Sequence, residues 1–249
     1  MRFDIITIFP NLFSSYLEET IIARAIRKKL LRVNLVDLRK FAKAGDSHRS
    51  VDGRPYGGGP GMILLVEPIY KALRSLRIKN YELRILKKKK NNPQFAIRNP
   101  RIIQLSPEGK PFTQREAERF AKYDRLVLLC GRYEGFDGRV DNLIDEKISI
   151  GPYVLAGGEL PAMVVLETVA RHIPGVVGHA DALKEETFSK DLEYVEYPQY
   201  TRPEVFYPTP PYPPLRRGGK KRGWRVPKVL LSGNHGKISV WRKQHRASR

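Results

Sequence analysis

Apolar residues recur along this chain in two periods, and each period predicts a different element. Phe3 to Phe9 is a β-branched and aromatic run closed by Pro10, which predicts a strand. Leu12 through Leu31 then carries apolar residues at helical spacing with basic residues on the opposite face. Val33 to Leu38 predicts a second short strand, and Val66 to Leu76 a second helix. Between them, Phe41 to Gly61 is polar, glycine-rich and has neither period; loops of that length in a compact domain are usually functional or disordered. From Arg101 the alternation becomes regular: a strand over Ile102 to Leu105, a turn at Pro107 and Gly109, a helix over Thr113 to Lys122 and a strand over Leu126 to Cys130. A polar helix-like segment, Asp137 to Asp145, leads to a strand over Lys147 to Ile150 and an apolar helix over Leu160 to His172. Strands alternating with helices predict an α/β domain with a parallel sheet covered on both faces.

After Gly175 the character changes. Residues 176–200 are polar and acidic with aromatic punctuation, and Tyr207 to Pro214 is too proline-rich for helix or central strand. Gly236 to Arg246 suggests a short cationic helix. The expected organisation is a catalytic α/β domain over 1–175, an interdomain linker over 176–200 and a small basic helical domain over 201–249. A chain of 249 residues is long enough for this. Charge supports the division. Lys plus Arg is 46 against 26 Asp plus Glu, a net +20. Val205 to Arg249 holds twelve basic residues and no acid, so +12 of the +20 lies there. Such an excess points to a polyanionic partner, either nucleic acid or an anionic membrane surface. The run Lys87 to Lys90 reads as a solvated hairpin or flexible insertion. No apolar run is long enough to span a bilayer, and Asp4 interrupts the N-terminal apolar stretch, so the expected compartment is the cytoplasm. The lone Cys130 fits a reducing compartment and, inside an apolar strand, reads as a packed thiol.

Three glycine-rich loops are the candidate chemistry: Tyr56 to Gly61, Gly131 to Gly135, and Gly157-Gly158-Glu159-Leu160-Pro161. Glycine allows close backbone approach, so a ligand at the carboxyl ends of parallel strands can be held by main-chain groups. None is a dinucleotide fingerprint or a phosphate loop ending in Gly-Lys-Ser/Thr, and no paired histidines stand at metal spacing, so no metal is expected.

Seven segments in register carry a resemblance: Arg54 to Met62, Leu105-Ser106-Pro107, Cys130 to Gly135, Ile148 to Gly151 with Tyr153 to Leu155, Gly157 to Met163, Tyr200 to Pro203, and Leu230 to His235. Together they resemble the bacterial tRNA (guanine-N1)-methyltransferases that modify guanosine at tRNA position 37. The resemblance implies a SPOUT-type parallel sheet with a deep C-terminal trefoil knot. It also implies a homodimer with its active site at the interface, and S-adenosylmethionine bound in the knot. In that reading Leu105, Ser106, Pro107, Gly131, Ile150, Tyr153, Leu155, Gly157 and Gly158 surround the cofactor, and Glu134 lies beside its sugar and methionine end.

Methyl transfer to N1 of guanine needs a carboxylate to take the N1 proton and a cation for charge developing on O6. The resemblance assigns the cation to Arg171. It assigns the base to Glu186, in a Glu186-Thr187-Phe188 tripeptide where the family carries Asp-Ser-Phe, with Asp191 as the alternative. Pro152, Gly53, Ala156, Glu196 and Gln199 also depart from the family pattern. His48, Asp52, Arg54 and Arg202 are the expected substrate-binding residues. Arg216, Arg217, Lys220, Lys221 and Arg222 are expected on phosphates of the tRNA anticodon stem-loop, while Trp224 and Trp241 read as core of the small domain rather than base-stacking platforms. This narrows the polyanion to tRNA and sets the membrane aside. Two rivals follow from the same motifs: a knotted ribose 2′-O-methyltransferase, and a catalytically silent knotted RNA-binding protein.

Overall fold

The computed structural model describes residues 1–78, 100–207 and 223–248. The chain divides into two compact units, Met1–Ala180 and Asp181–Arg249. The Lys87–Lys90 run, Tyr212 and the basic residues 216–222 lie outside the described residues.

In the first unit the strands are β1 (Arg2–Thr7), β2 (Arg32–Asp37), β3 (Asp52–Gly53), β4 (Ile63–Leu64), β5 (Arg101–Pro111), β6 (Arg125–Cys130) and β7 (Glu146–Ser149). The helices are α1 (Ser14–Glu18), α2 (Thr20–Arg27), α3 (Val66–Ser75), α4 (Gln114–Phe120) and α5 (Glu159–Arg171). Five strands form one sheet in the order β2-β1-β6-β5-β7, with every pair parallel. Residues along β6 explain why its sequence is continuously apolar. Leu126, Leu128 and Cys130 face a core shared with Phe120 of α4 and Val165, Leu166 and Val169 of α5, whereas Val127 and Leu129 face Ile69 and Leu73 of α3.

One helix was expected from Leu12 to Leu31, and the structure breaks it. A 3-10 turn at Pro10–Phe13 runs into α1, then Glu19 is extended (φ −115°, ψ 165°) and Thr20 takes φ +60° before α2. In an unbroken helix Phe13 and Ile22, nine residues apart, would sit roughly 900° apart and so on opposite faces. The break puts both, fully buried, into one core. The polar segment expected as helix around 137–145 is a 3-10 turn, Gly138–Asn142, started by the Asp137 carboxylate accepting from the Arg139 N–H at 2.9 Å.

The turn expected at Pro107 and Gly109 lies inside the longer strand β5 as an irregularity. Leu105 and Lys110 both stand opposite Ile148, so residues 106–109 loop out and the chain then rejoins β7. Gly109 permits this: a Cβ there would lie 2.5 Å from the Ile148 N.

Asp4 is fully buried in β1, which the apolar reading of that strand did not explain. Its carboxylate accepts from Arg2 Nη2 (2.7 Å), Asn34 Nδ2 (2.6 Å) and Arg125 Nε (2.6 Å), tying β1 to both neighbouring strands. Breaking a buried pair by removing one partner leaves an uncompensated charge, so Asp4→Ala should destabilise the first unit by about 3 kcal/mol. A shift in the denaturant midpoint at unchanged slope checks this.

The second unit is small. Strand β8 (Tyr194–Val195) pairs with β11 (Ala247–Ser248), and β9 (Val205–Phe206) with β10 (Trp224–Arg225), each antiparallel. Helices α6 (Lys228–Leu231) and α7 (His235–Gln244) complete it, with the Asn234 side chain capping α7 through the Lys237 N–H at 3.0 Å. Aromatic residues supply its packing: Trp241 stacks on His245 with centroids 4.1 Å apart, and the Arg242 guanidinium lies over the buried Tyr197. Both tryptophans were expected in a core, but Trp224 is 66% exposed. Its ring meets Phe206 across a two-stranded ribbon, with centroids 5.7 Å apart and the planes tilted by 45°.

Candidate active site

The carboxyl ends of β5, β6 and β7 open into one cavity of about 530 Å³, within the roughly 300–1,000 Å³ usual for small-molecule sites. Its walls are the segment that loops out within β5 and the loops that follow β6 and β7, and all ten residues expected around the cofactor line it: Leu105, Ser106, Pro107, Gly131, Glu134, Ile150, Tyr153, Leu155, Gly157 and Gly158.

Glycines set the cavity's shape. Gly158 stands so close to the end of β6 that a Cβ would lie 2.7 Å from Cys130 Cα and 2.9 Å from Gly131 N. That approach lets the Gly158 N–H donate to the Gly131 carbonyl at 2.9 Å, and Arg132 and Gly157 form an antiparallel bridge beside it. Gly157 makes room for a side chain instead: a Cβ would run into the Arg132 guanidinium. On the exposed side, Tyr153, Val154 and Leu155 are 52%, 83% and 38% exposed.

The third glycine-rich loop is fastened to the same wall. The Glu134 N–H donates to the Met62 carbonyl at 3.0 Å, the Leu64 N–H to the Gly135 carbonyl at 2.9 Å, and Leu64 and Phe136 form a parallel bridge. Gly61, at φ +79°, lies against the Glu134 side chain. Asp52 is reached through the same hairpin, since it pairs with Leu64. His48 and Arg54 are exposed, before and after it in the chain. None of the three lines the cavity. The Asp46 carboxylate shapes the tip next to His48 by accepting from the His48 and Ser50 N–H groups at 2.9 and 2.8 Å, and the Ser50 amide is the main cause holding its carboxyl below the usual range.

Arg171 occupies the last turn of α5, half-buried, at the far end of the helix that starts at the cavity. Glu186, Asp191 and Arg202 belong to the second unit. Glu186 is half-buried in a compact turn: its carbonyl accepts from the Ser189 N–H at 3.0 Å, Phe188 takes φ +69°, and the Phe188 N–H reaches the Tyr194 carbonyl at 2.8 Å. Asp191 is exposed, and its carboxylate caps its own turn through the Glu193 N–H at 2.9 Å. Arg202 is exposed and precedes a cis proline.

Several cavity residues escaped sequence reasoning. Lys147 donates to Glu108 Oε1 at 2.6 Å and lies 3.0 Å from Asp141 Oδ1, and all three line the cavity. Gln104 lines its floor with a buried amide oxygen that meets no partner among the described residues. Glu159, 1% exposed, sits in the first turn of α5 beneath the cavity. Its signal was present: a carboxylate directly after two glycines, opening an apolar helix. Cys130 is buried, and burial pushes its thiol well above the ordinary range, which makes it a poor nucleophile. No group of three His, Cys, Asp or Glu among the described residues is arranged to hold a metal, and no described helix is long and apolar enough to cross a membrane.

The profile of a family described as tRNA (Guanine-1)-methyltransferase TrmD matches residues 1–249. Three curated relatives carry the name tRNA (guanine-N(1)-)-methyltransferase. The one from Caldanaerobacter subterraneus is 45% identical over 244 residues, covering 98% of this chain and 86% of the relative. That from Endomicrobium trichonymphae is 40% identical, covering 98% and 93%. That from Moorella thermoacetica is 42% identical over 250 residues, covering 100% and 86%.

Proposed function

The chain belongs to the tRNA (guanine-1)-methyltransferase family and methylates N1 of guanine in tRNA; we propose that S-adenosylmethionine is its donor and guanosine 37 its target. The observation that carries this reading is the cavity itself, which in this chain is lined by all ten of the expected cofactor residues. The cavity suits a nucleoside-bearing ligand. Glycines at 131, 157 and 158 leave main-chain groups bare, and the unpartnered Gln104 oxygen lies at the floor. Main-chain groups of Leu105, Ser106, Pro107, Gly131, Ile150, Tyr153, Leu155, Gly157 and Gly158 would hold the adenosine, and Glu134 the sugar and methionine end. When bound, the donor supplies an electrophilic methyl group on a sulfonium.

The protein's own part is to move a proton and to meet a charge. Glu186 takes the proton from N1 of guanine, and the Arg171 guanidinium donates to O6, where negative charge grows as that proton leaves. Glu186 is favoured over Asp191 because it stands where the resemblance puts the aspartate of Asp-Ser-Phe and is half-buried, whereas Asp191 is exposed. Asp52, Arg54, His48 and Arg202 contact the tRNA, and the basic domain over 201–249 docks the anticodon stem-loop, joined to the catalytic domain by a linker over 176–200. A SPOUT-type trefoil knot in this domain is supported by the family match and the all-parallel sheet. A homodimer with its active site at the interface is supported by α5, where Leu160 and Val164, 59% and 42% exposed, share one face with Arg171. The working compartment is the cytoplasm.

The test is a single-turnover reaction with a tRNA transcript carrying guanosine 37, followed by nucleoside mass spectrometry. 1-Methylguanosine at that position is expected. Methylation on the ribose would give the site to the 2′-O class, and binding without transfer would make the protein a silent RNA binder. In the same assay Glu186→Gln should slow the single-turnover rate by one to two orders of magnitude, whereas Asp191→Asn changes it less than about three-fold. The reverse order would move the base to Asp191.

A further inference from the structure

We propose that Glu159, acting through Arg132, is the positioning residue that fixes the spacing between the two glycine-loop walls of the cavity. The proposal rests on the reading of that cavity as the methyl-donor site.

Glu159 is a charged group almost wholly removed from water, and both of its carboxylate oxygens are engaged. Oε1 accepts from the Thr7 hydroxyl at 2.6 Å, and Oε2 from Arg132 Nε at 2.9 Å. The Thr7 hydroxyl in turn accepts from the Phe9 N–H at 2.9 Å, so its proton points at Glu159 and the end of β1 is part of the same array. Glu159 is also in the first turn of α5, where the helix dipole favours an anion. One strand end and one helix start therefore hold this carboxylate fixed.

Arg132 carries that fixed position into the cavity. Its Nε is held by Glu159, its guanidinium lies 4.7 Å from the centre of the Phe9 ring, and its Nη1 donates to the Ala156 carbonyl at 3.3 Å. Arg132 belongs to the loop after β6, and Ala156 to the loop after β7; both line the cavity. The planar fork thus spans the two walls from behind, on the side where Gly157 leaves space for it. A lysine could not serve both partners, because its ammonium lacks the rigid fork. Sites that must hold a ligand to within about half an ångström need such support beneath the contacting groups. The carboxylate has no proton to move here; it orients a cation that orients a loop.

The test uses the full chain and S-adenosylmethionine as the probe. Single removal of either partner would leave a buried charge alone, so the decisive variant is the double one, Arg132→Met with Glu159→Gln, which removes both charges at similar volume. Calorimetric titration should show the donor Kd rising at least ten-fold. In steady state the donor KM should rise with it, while kcat at saturating donor and KM for tRNA each stay within three-fold. A folded double variant that binds donor as wild type does would overturn the proposal. So would kcat and both KM values worsening together in proportion to lost folded protein. If wild-type protein itself binds no donor, the assignment of the cavity falls, and the positioning role falls with it.

Discussion

Gly158→Ala should lower kcat/KM for the methyl donor by about 100-fold or more, because misplacing a site by roughly 1 Å costs that much. The backbone of Gly158 is not in a glycine-only conformation: φ is −83° and ψ −1°, which alanine adopts without strain. The penalty comes from space. An added Cβ would meet Cys130 Cα at 2.7 Å, Gly131 N at 2.9 Å and the Cys130 carbonyl carbon at 3.1 Å. All three are main-chain atoms at the end of a buried central strand, and none can rotate away. The loop after β7 must therefore move off β6, breaking the Gly158 N–H bond to the Gly131 carbonyl and pulling Gly157 and Leu155 from the cavity wall. Gly138→Ala is the control. Gly138 also lines the cavity, but a Cβ there meets nothing within 4 Å, so donor kcat/KM should stay within about two-fold. Donor titration and circular dichroism on both variants separate a reshaped pocket from an unfolded chain.

The contrast between these two glycines also marks what a sequence can disclose. Both line the same cavity in the fold, but nothing in the local pattern says what an added Cβ would meet at either position. What separates them is whether a distant segment of backbone runs past, and Gly158 meets Gly131 and Cys130, 27 and 28 positions earlier in the chain. The sheet itself was legible because strands buried on both faces must be continuously apolar, as Leu126 to Cys130 is. The apolar helix beginning at Leu160 was legible for a similar reason, since its buried residues repeat at helical spacing. The break between α1 and α2 was not, because the period of Leu12 to Leu31 does not reveal that Phe13 and Ile22 must reach one core. Buried charge was the other blind spot. Asp4 reads as a polar interruption of an apolar stretch and Glu159 as part of a glycine-rich loop, and only the fold brings Asn34, Arg125, Thr7 and Arg132 to them. The candidate site shows the same division: its lining followed from the family resemblance that the motifs carry, while the array holding those loops together did not.

Arg171→Ala should reduce the single-turnover rate of methyl transfer by about 100- to 1,000-fold, the usual cost of removing one donor to a developing anion. Donor Kd should stay within about two-fold, because the charge that Arg171 meets is absent until the N1 proton departs. Position supports that split. Arg171 lies in the last turn of α5, twelve residues beyond Glu159, and does not line the donor cavity. Yet it shares one face of that helix with the exposed Leu160 and Val164, the face proposed above to meet a second subunit and the entering guanine. A cation near a helix C-terminus also stabilises the helix, by about 0.3–1 kcal/mol at an exposed site, so a small loss of stability is expected as well. That loss cannot account for two orders of magnitude in rate. Arg171→Lys decides between the roles: lysine keeps the favourable dipole interaction and so should restore the stability. It offers a point charge in place of the planar fork, and should recover only part of the rate. Equal losses in rate and donor affinity, or full recovery of rate by lysine, would assign Arg171 to the helix and not to the transition state.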